Sequence, residues 1–282
     1  LLSEKTQKVE ETGAQRGKRA RVFAIANQKG GVGKTTTAIN LGTALAACDL
    51  KVLVVDLDPQ GNASTGFGLT RGDRKRNIYK PLIEGGEVKG CVVPTHVPGL
   101  SLVPSAVDLS GAEVELAQAE ERETRLRSAL APLLGDYDYI LVDCPPALGF
   151  LTLNAFTAAD SVLVPLQAEF YALEGLSHLM RTIERVRRAF NPNLEIQGVV
   201  LTMYDKRNNL CDMVANDVRE YLGDVVYDTV IPRNVRISEA PSHGKPVLLY
   251  DMKSTGAQAY IKLAGEMLRR LRGQADAPAM AS

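Results

Sequence analysis

One stretch restricts the fold of this chain more than any other: KGGVGKTT at 29–36, set between the apolar run 22–26 and a helical pattern that begins at Lys34. A strand, a glycine-rich turn and a helix N-terminus in that order make a cradle for phosphate groups. Backbone N–H groups freed by Gly30, Gly31 and Gly33 can converge on a polyphosphate, while the helix dipole, Lys34 and a magnesium held by Thr35 offset its charge. Gly30, Gly31, Val32, Gly33, Lys34, Thr35 and Thr36 are therefore expected to form a nucleotide-binding loop.

The common form of that loop, GxxxxGK[ST], places glycine where this chain has Gln28, and a second lysine, Lys29, follows. Lys34 is placed to reach the β- and γ-phosphates from its own helix. Lys29 sits at the rim, where its ammonium could reach a nucleotide held by a second subunit. ATP would then join two copies of the chain.

Short β-rich runs alternate with longer helical patterns along the rest of the sequence. Strands are expected at 22–26, 52–56, 100–103, 139–143, 161–165, 195–202 and 226–231, and helices at 34–47, 112–130, 151–158, 173–190, 210–222 and 257–272. Strands apolar on both faces and separated by helices imply an α/β fold, one domain with a mostly parallel, twisted sheet and helices on both faces, and the glycine-rich loop makes the P-loop NTPase type the expectation. Ligands collect at the carboxyl ends of such strands. With 282 residues and 45% apolar content the chain can bury one large core, which we place at 21–272, while 1–20 and 273–282 hold too few large apolar groups to pack and are expected to be disordered.

The formal net charge is +0, from 33 Lys+Arg against 33 Asp+Glu, so any nucleic-acid binding must come from a local patch and not from bulk charge. Cys48, Cys91, Cys144 and Cys211 lack metal-ligand spacing and read as reduced thiols. No apolar run reaches the roughly 18 residues that span a bilayer, and the expectation is a soluble, cytoplasmic protein.

KGGVGKTT resembles the deviant Walker A box of the ParA/MinD group of ATPases. VLVVDLDPQGNAS (52–64), YDYILVDCPP (137–146), EFYALEGL (169–176) and VIPRNVRISEAPSHGKPV (230–247) extend the resemblance to the chromosomal ParA/Soj partition ATPases, over nearly the whole chain. That resemblance implies ATP and Mg2+ as ligands and hydrolysis to ADP and phosphate. Asp143, at the end of ILVD, matches a Walker B acid that holds the magnesium shell. Asp58 matches the residue that orients or deprotonates the attacking water, with Asp56 nearer the metal, so the catalytic residues are expected to be Lys29 and Asp58 and the metal residues Thr35, Asp56 and Asp143. Met203 and Pro232 mark the region expected to contact adenine. Arginines matching Arg207 and Arg236 contribute to sequence-independent DNA binding in the family.

The implied role is a DNA-segregation switch associated with the nucleoid: an ATP-bound homodimer on double-stranded DNA, with hydrolysis stimulated by a ParB-type centromere-binding partner. Two rivals share the loop. A MinD-like membrane switch needs an amphipathic C-terminal anchor, and the residues after 272 offer only Met280 to a lipid interface. An electron-transfer ATPase would need cysteines from two subunits to share an iron–sulfur cluster, for which Cys144 is the sole candidate. With about 20 residues before the first strand, the expectation is the short chromosomal type without a helix-turn-helix extension. The stretch 70–76, TRGDRKR, is expected to be an exposed charged loop, and the turn at Cys48, Asp49 and Leu50 stands where relatives place glycine.

Overall fold

The computed structural model describes residues 19–276. Seven strands, β1 (Arg21–Ile25), β2 (Val52–Asp56), β3 (Val93–Pro94), β4 (Leu100–Val103), β5 (Tyr139–Asp143), β6 (Ser161–Gln167) and β7 (Glu195–Thr202), form a single sheet in the order β3-β4-β2-β5-β1-β6-β7. All neighbours run parallel except β3, which pairs antiparallel with β4 at one edge. The helices are α1 (Lys34–Ala46), α2 (Asn62–Gly66), α3 (Tyr79–Ile83), α4 (Ala112–Gln118), α5 (Arg125–Leu130), α6 (Phe150–Ala158), α7 (Ala172–Ala189), α8 (Asn209–Leu222), α9 (Val235–Glu239), α10 (Val247–Tyr250) and α11 (Thr255–Asp276).

Every residue of β2 and of β5 is buried, because each face of the sheet carries its own apolar layer. One layer sets Phe23, Ile25, Val54 and Leu141 against α1, α10 and α11 through Leu41, Leu45, Leu248, Leu263 and Met267. The other sets Val22, Ala24, Val55 and Val142 against α5 to α8 through Leu126, Phe156, Leu179 and Val218. Period-two alternation of side chains along each strand divides the core into these two halves.

Three local expectations are corrected. The segment 226–231 is not a strand; it meets the sheet at isolated bridges, Val199–Val226 and Tyr204–Pro232, and through Ile231 N–H, which donates to the Leu201 carbonyl at 2.8 Å. Its middle amides turn away, since Asp228 N–H and Thr229 N–H donate to the Glu266 carboxylate on α11, each at 2.9 Å, and not to β7. The pattern 112–130 breaks into α4 and α5 because Asn154, buried on α6, accepts from Leu126 N–H at 3.0 Å and donates to the Arg122 carbonyl at 2.6 Å. Those bonds give the backbone partners other than the next helical turn, and Glu121 adopts φ 50° between the two pieces. Finally, α11 continues to Asp276, past the expected end at 272, and buries Leu271.

At the other end Ala20 is already buried, its N–H bonded to the Leu134 carbonyl at 2.7 Å, and Arg19 pairs with Asp160. The remaining calls on 1–18 and 277–282 lie outside the described residues. Asp49 takes φ 59° in the turn before β2, the left-handed conformation that glycine would supply and that aspartate tolerates.

Candidate functional site

At the carboxyl ends of the central strands the register sets Asp56 of β2 directly beside Asp143 of β5, and Asp143 beside Ile25 of β1. The chain leaving β1 then forms the glycine-rich loop above these acids. Gly31 (φ 74°) and Gly33 (φ 90°) occupy left-handed backbone that a side chain would strain, and Gly33 caps α1 without a side-chain partner for the helix amides. The loop is tied to its neighbours on both sides. Asn27, almost wholly buried, donates to the Pro165 carbonyl of β6 at 2.8 Å and accepts from Lys29 N–H at 3.0 Å. The Thr202 hydroxyl, at the end of β7, donates to the Val32 carbonyl at 2.8 Å.

A cavity of about 240 Å³ opens over this loop, lined by Gly30, Gly31, Gly33, Lys34, Thr35, Thr36, Asp58, Gln60, Asn62, Pro146 and Met203. It gathers the expected loop residues with Asp58. The Val32 side chain is buried and supplies its carbonyl alone to the loop's support. Met203 sits in the lining at φ 50°, an unusual conformation for a non-glycine residue and one that clusters at functional sites. Pro232 lies elsewhere, in a second cavity of about 820 Å³ shared with Tyr204, Arg207, Arg233, Lys253 and Lys262.

The charges under the loop are arranged for a ligand that brings both anions and a cation. The Lys34 ammonium, buried, donates to the Lys29 carbonyl at 2.9 Å; burial lowers its pKa, and Asp143 followed by Cys144 and Asp58 opposes that shift. Asp143 is fully buried and, among the described residues, neither carboxylate oxygen meets a partner in hydrogen-bonding geometry, the nearby Thr35 hydroxyl included. Burial and then the nearby Asp56 push its pKa well above the carboxylate range, with the Thr35 hydroxyl easing the shift. An orphaned buried carboxylate beside a threonine hydroxyl suits the oxygen-rich shell of a magnesium ion.

Asp56 is differently engaged. Its Oδ2 accepts from Ser64 N–H at 2.7 Å and from the Ser64 hydroxyl at 2.6 Å, while Oδ1 accepts from Asp58 N–H at 3.3 Å. Burial pushes its pKa up to about 6, against the pull of the Ser64 bonds. Asp56 therefore clamps the chain around Asp58, and of the two expected metal acids it is Asp143 whose oxygens are open. Asp58 accepts from Gln60 N–H at 3.0 Å within that clamp.

Lys29 is half exposed at the rim, and its ammonium pairs with Glu169 of the same chain, just beyond β6. Glu169 was quoted in the sequence only as part of EFYALEGL; its tie to Lys29 needs the β1–β6 neighbourhood to be known. Thr202 and Asn27 were missed for the same reason. Gln60 and Asn62 stand inside the DPQGN box and were legible there.

Neither of the two expected DNA arginines lines this cavity. Arg207 projects into solvent beside Asp205, which it meets through two hydrogen bonds of 2.9 and 2.8 Å. It lines the larger cavity with Thr255, whose hydroxyl accepts from Asn234, and Asn234 caps α9, which carries Arg236. Arg236 pairs with Glu239 at 2.9 Å and Asp251 at 3.4 Å. On α7, Arg187 and Arg188 both pair with Glu184, and Arg185 borders a groove with Phe150 and Phe190. Cys144 is wholly buried and burial drives its thiol pKa up, so this sulfur has no access to a second subunit. Among the described residues no helix is long and apolar enough to cross a membrane. His243 stacks on Tyr250, with ring centroids 4.8 Å apart, as a packing residue.

A family model for an AAA domain matches residues 20–196. The chain is 63% identical over 254 residues to the chromosome partitioning protein ParA of Caulobacter vibrioides, which covers 89% of this chain and 95% of that protein. It is 51% identical over 247 residues to the sporulation initiation inhibitor protein Soj of Bacillus subtilis, over 88% of this chain and 98% of that one. Among solved structures, cobyrinic acid a,c-diamide synthase from Mycobacterium smegmatis, with bound ATP analog and magnesium, is similar at TM-score 0.79 and 38% identity, over 93% of this chain and 100% of that chain.

Proposed function

The chain belongs to the ParA/Soj family of chromosome-partitioning ATPases, and from that premise we propose that it is an ATP-driven DNA-segregation switch whose nucleotide-bound dimer grips nucleoid DNA and lets go on hydrolysis. The observation that carries the reading is the convergence of Lys34, Thr35 and Asp58 on one glycine-lined cavity, with the buried, unpartnered Asp143 close to all three. The two partitioning relatives match at 63% and 51% identity, against 38% for the diamide synthase structure, which supports partitioning over amide synthesis.

The amides of the loop and the α1 dipole bind the phosphates, and Lys34 leaves the Lys29 carbonyl to pair with the β/γ oxygens. Thr35 and Asp143 hold magnesium, directly or through water. When bound, that ion would offset the charge that develops on the phosphate oxygens. Asp58 orients the attacking water and takes its proton toward the end of the reaction. Lys29 exchanges Glu169 for the phosphates of the nucleotide in a second copy, and a cation supplied in this way is worth about 10³–10⁵ in rate in related NTPases. The monomer is accordingly almost inert.

A dimer would double the surface that holds Arg207, Arg236, Arg233, Lys253 and Lys262, which contact phosphates and not base edges. A ParB-type partner would stimulate hydrolysis and so release the dimer from DNA near its cargo. The test is binding of nonspecific duplex DNA with ATP, ADP or no nucleotide, for the wild type and Asp58→Ala. Retention of DNA is expected with ATP alone, and Asp58→Ala should keep that retention while losing phosphate release. For about four to six neutralised phosphates, log K should fall with log salt at a slope of roughly −4 to −5. Nucleotide-independent or sequence-selective binding would overturn the reading.

A further inference from the structure

The charged stretch 70–76 contains one residue that breaks the exposed pattern. Arg71, Gly72, Asp73, Lys75 and Arg76 are exposed, but Arg74 is buried, at 8% exposure. A buried arginine is normally paired with a carboxylate. Among the described residues Arg74 has no such ion pair and its Nε has no partner; its guanidinium donates to the Gly61 carbonyl at 3.1 Å, the Thr65 hydroxyl at 2.7 Å and the Leu69 carbonyl at 2.8 Å. Three of its donor contacts thus land on the short segment that follows Asp58.

Gly61 is the pivot of that segment. It takes φ 64°, its N–H closes a turn onto the Asp58 carbonyl at 2.8 Å, and its carbonyl also accepts from Thr65 N–H and the Thr65 hydroxyl, each at 3.0 Å. A Cβ on Gly61 would lie 2.2 Å from Arg74 Nη1, so any larger residue there would displace the guanidinium. Asp58 therefore sits between two clamps. On one side Asp56 binds Ser64, whose hydroxyl also accepts from Ser105 N–H at 3.1 Å; on the other Arg74 binds Gly61 and Thr65.

We propose that Arg74 is a positioning residue for ATP hydrolysis, acting through Gly61 to hold Asp58 where it can orient the attacking water. The inference rests on the reading of Asp58 given above. Loss of the guanidinium removes one of the two clamps on the Asp58–Gly61 turn, and a displacement of about 1 Å in such a group can lower turnover some 10²-fold.

The test compares Arg74→Met, Arg74→Lys, Gly61→Ala and Asp58→Asn in the full chain, by phosphate release at saturating ATP-magnesium, ATP affinity and thermal melting. Arg74→Met should lower kcat by about 10- to 100-fold with ATP affinity within about threefold of wild type. Arg74→Lys should recover part of that loss, and Gly61→Ala should lower kcat by displacing a guanidinium that is still present. In an Asp58→Asn background, Arg74→Met should add no further loss. Wild-type kcat in Arg74→Met, or loss of ATP affinity and melting temperature in step with kcat in every variant, would overturn the positioning role. If Arg74→Met fails to fold, Arg74→Lys and Gly61→Ala decide by the same criteria. An Asp58→Asn chain that hydrolyses at the wild-type rate would overturn the Asp58 reading and this one together; an inactive Asp58→Asn beside a fully active Arg74→Met overturns this one alone.

Discussion

Thr202 shows how a residue outside every recognised motif governs the phosphate loop. Its hydroxyl is buried, and the Val32 carbonyl that it satisfies lies in the middle of the loop whose amides must face a polyphosphate. Replacing it by valine keeps the shape and removes the donor, leaving a buried acceptor unpaired at a cost of about 1–3 kcal/mol. Thr202→Val is expected to bind ATP about tenfold more weakly, as roughly 1.4 kcal/mol of that penalty would produce, with the fold retained. Titration calorimetry with a non-hydrolysable analogue, together with far-ultraviolet circular dichroism, checks both halves of the statement.

Among elements, α11 does more than cover the sheet. Its Glu266 carboxylate accepts from Asp228 N–H, Thr229 N–H and Arg270 Nη2, and so holds the connection 226–231 out of the sheet in an irregular path. Arg270 in turn lies over the Tyr227 ring at 4.2 Å and donates to the Asp224 and Val226 carbonyls. Burial raises the Glu266 pKa, but the bonds from Thr229 and Asp228 and the nearby Arg270 outweigh it, so the net shift is downward. A carboxyl whose folded pKa lies below its unfolded value adds stability that is present above the unfolded pKa, about 4.3, and is lost as pH falls through the folded one. Glu266→Gln should destabilise the chain by about 1–3 kcal/mol at pH 7, and the gap from wild type should close as the pH is lowered below about 4. Urea unfolding at pH 7 and across the acid range measures it.

At the scale of the whole molecule, a net charge of zero coexists with a local group of cations, Arg207, Arg233, Lys253 and Lys262 around one cavity and Arg236 on α9, of which Arg207 and Arg236 are paired with acids of the same chain. Two copies would double that charge, as the proposed function requires. Gly30 offers a clean probe of that requirement. A Cβ added there would meet nothing within 4 Å, so a side chain at 30 is accommodated by the isolated subunit. Gly30→Val should therefore melt within about 0.5 kcal/mol of wild type, as surface substitutions do, yet fail to dimerise. Sedimentation with ATP-magnesium, where wild type shifts to twice the mass and Gly30→Val does not, is the measurement.

The α/β class, six of the seven strands and the carboxyl-end location of the site were legible in the sequence, because strand and helix periodicities and the KGGVGKTT turn are local properties of the chain. The antiparallel edge strand Val93–Pro94 and the diversion of 226–231 were not, since two-residue pairing and the competition of Glu266 for backbone amides depend on what folds alongside. The same division holds within the site. The loop, Asp58 and Asp143 are written in motifs, whereas the engagement of Asp56 with Ser64, the pairing of Lys29 with Glu169 and the burial of Arg74 against Gly61 arise from contacts between separate segments. Periodicity and turn chemistry are encoded residue by residue, but which donor meets which acceptor is settled only when the sheet sets its register.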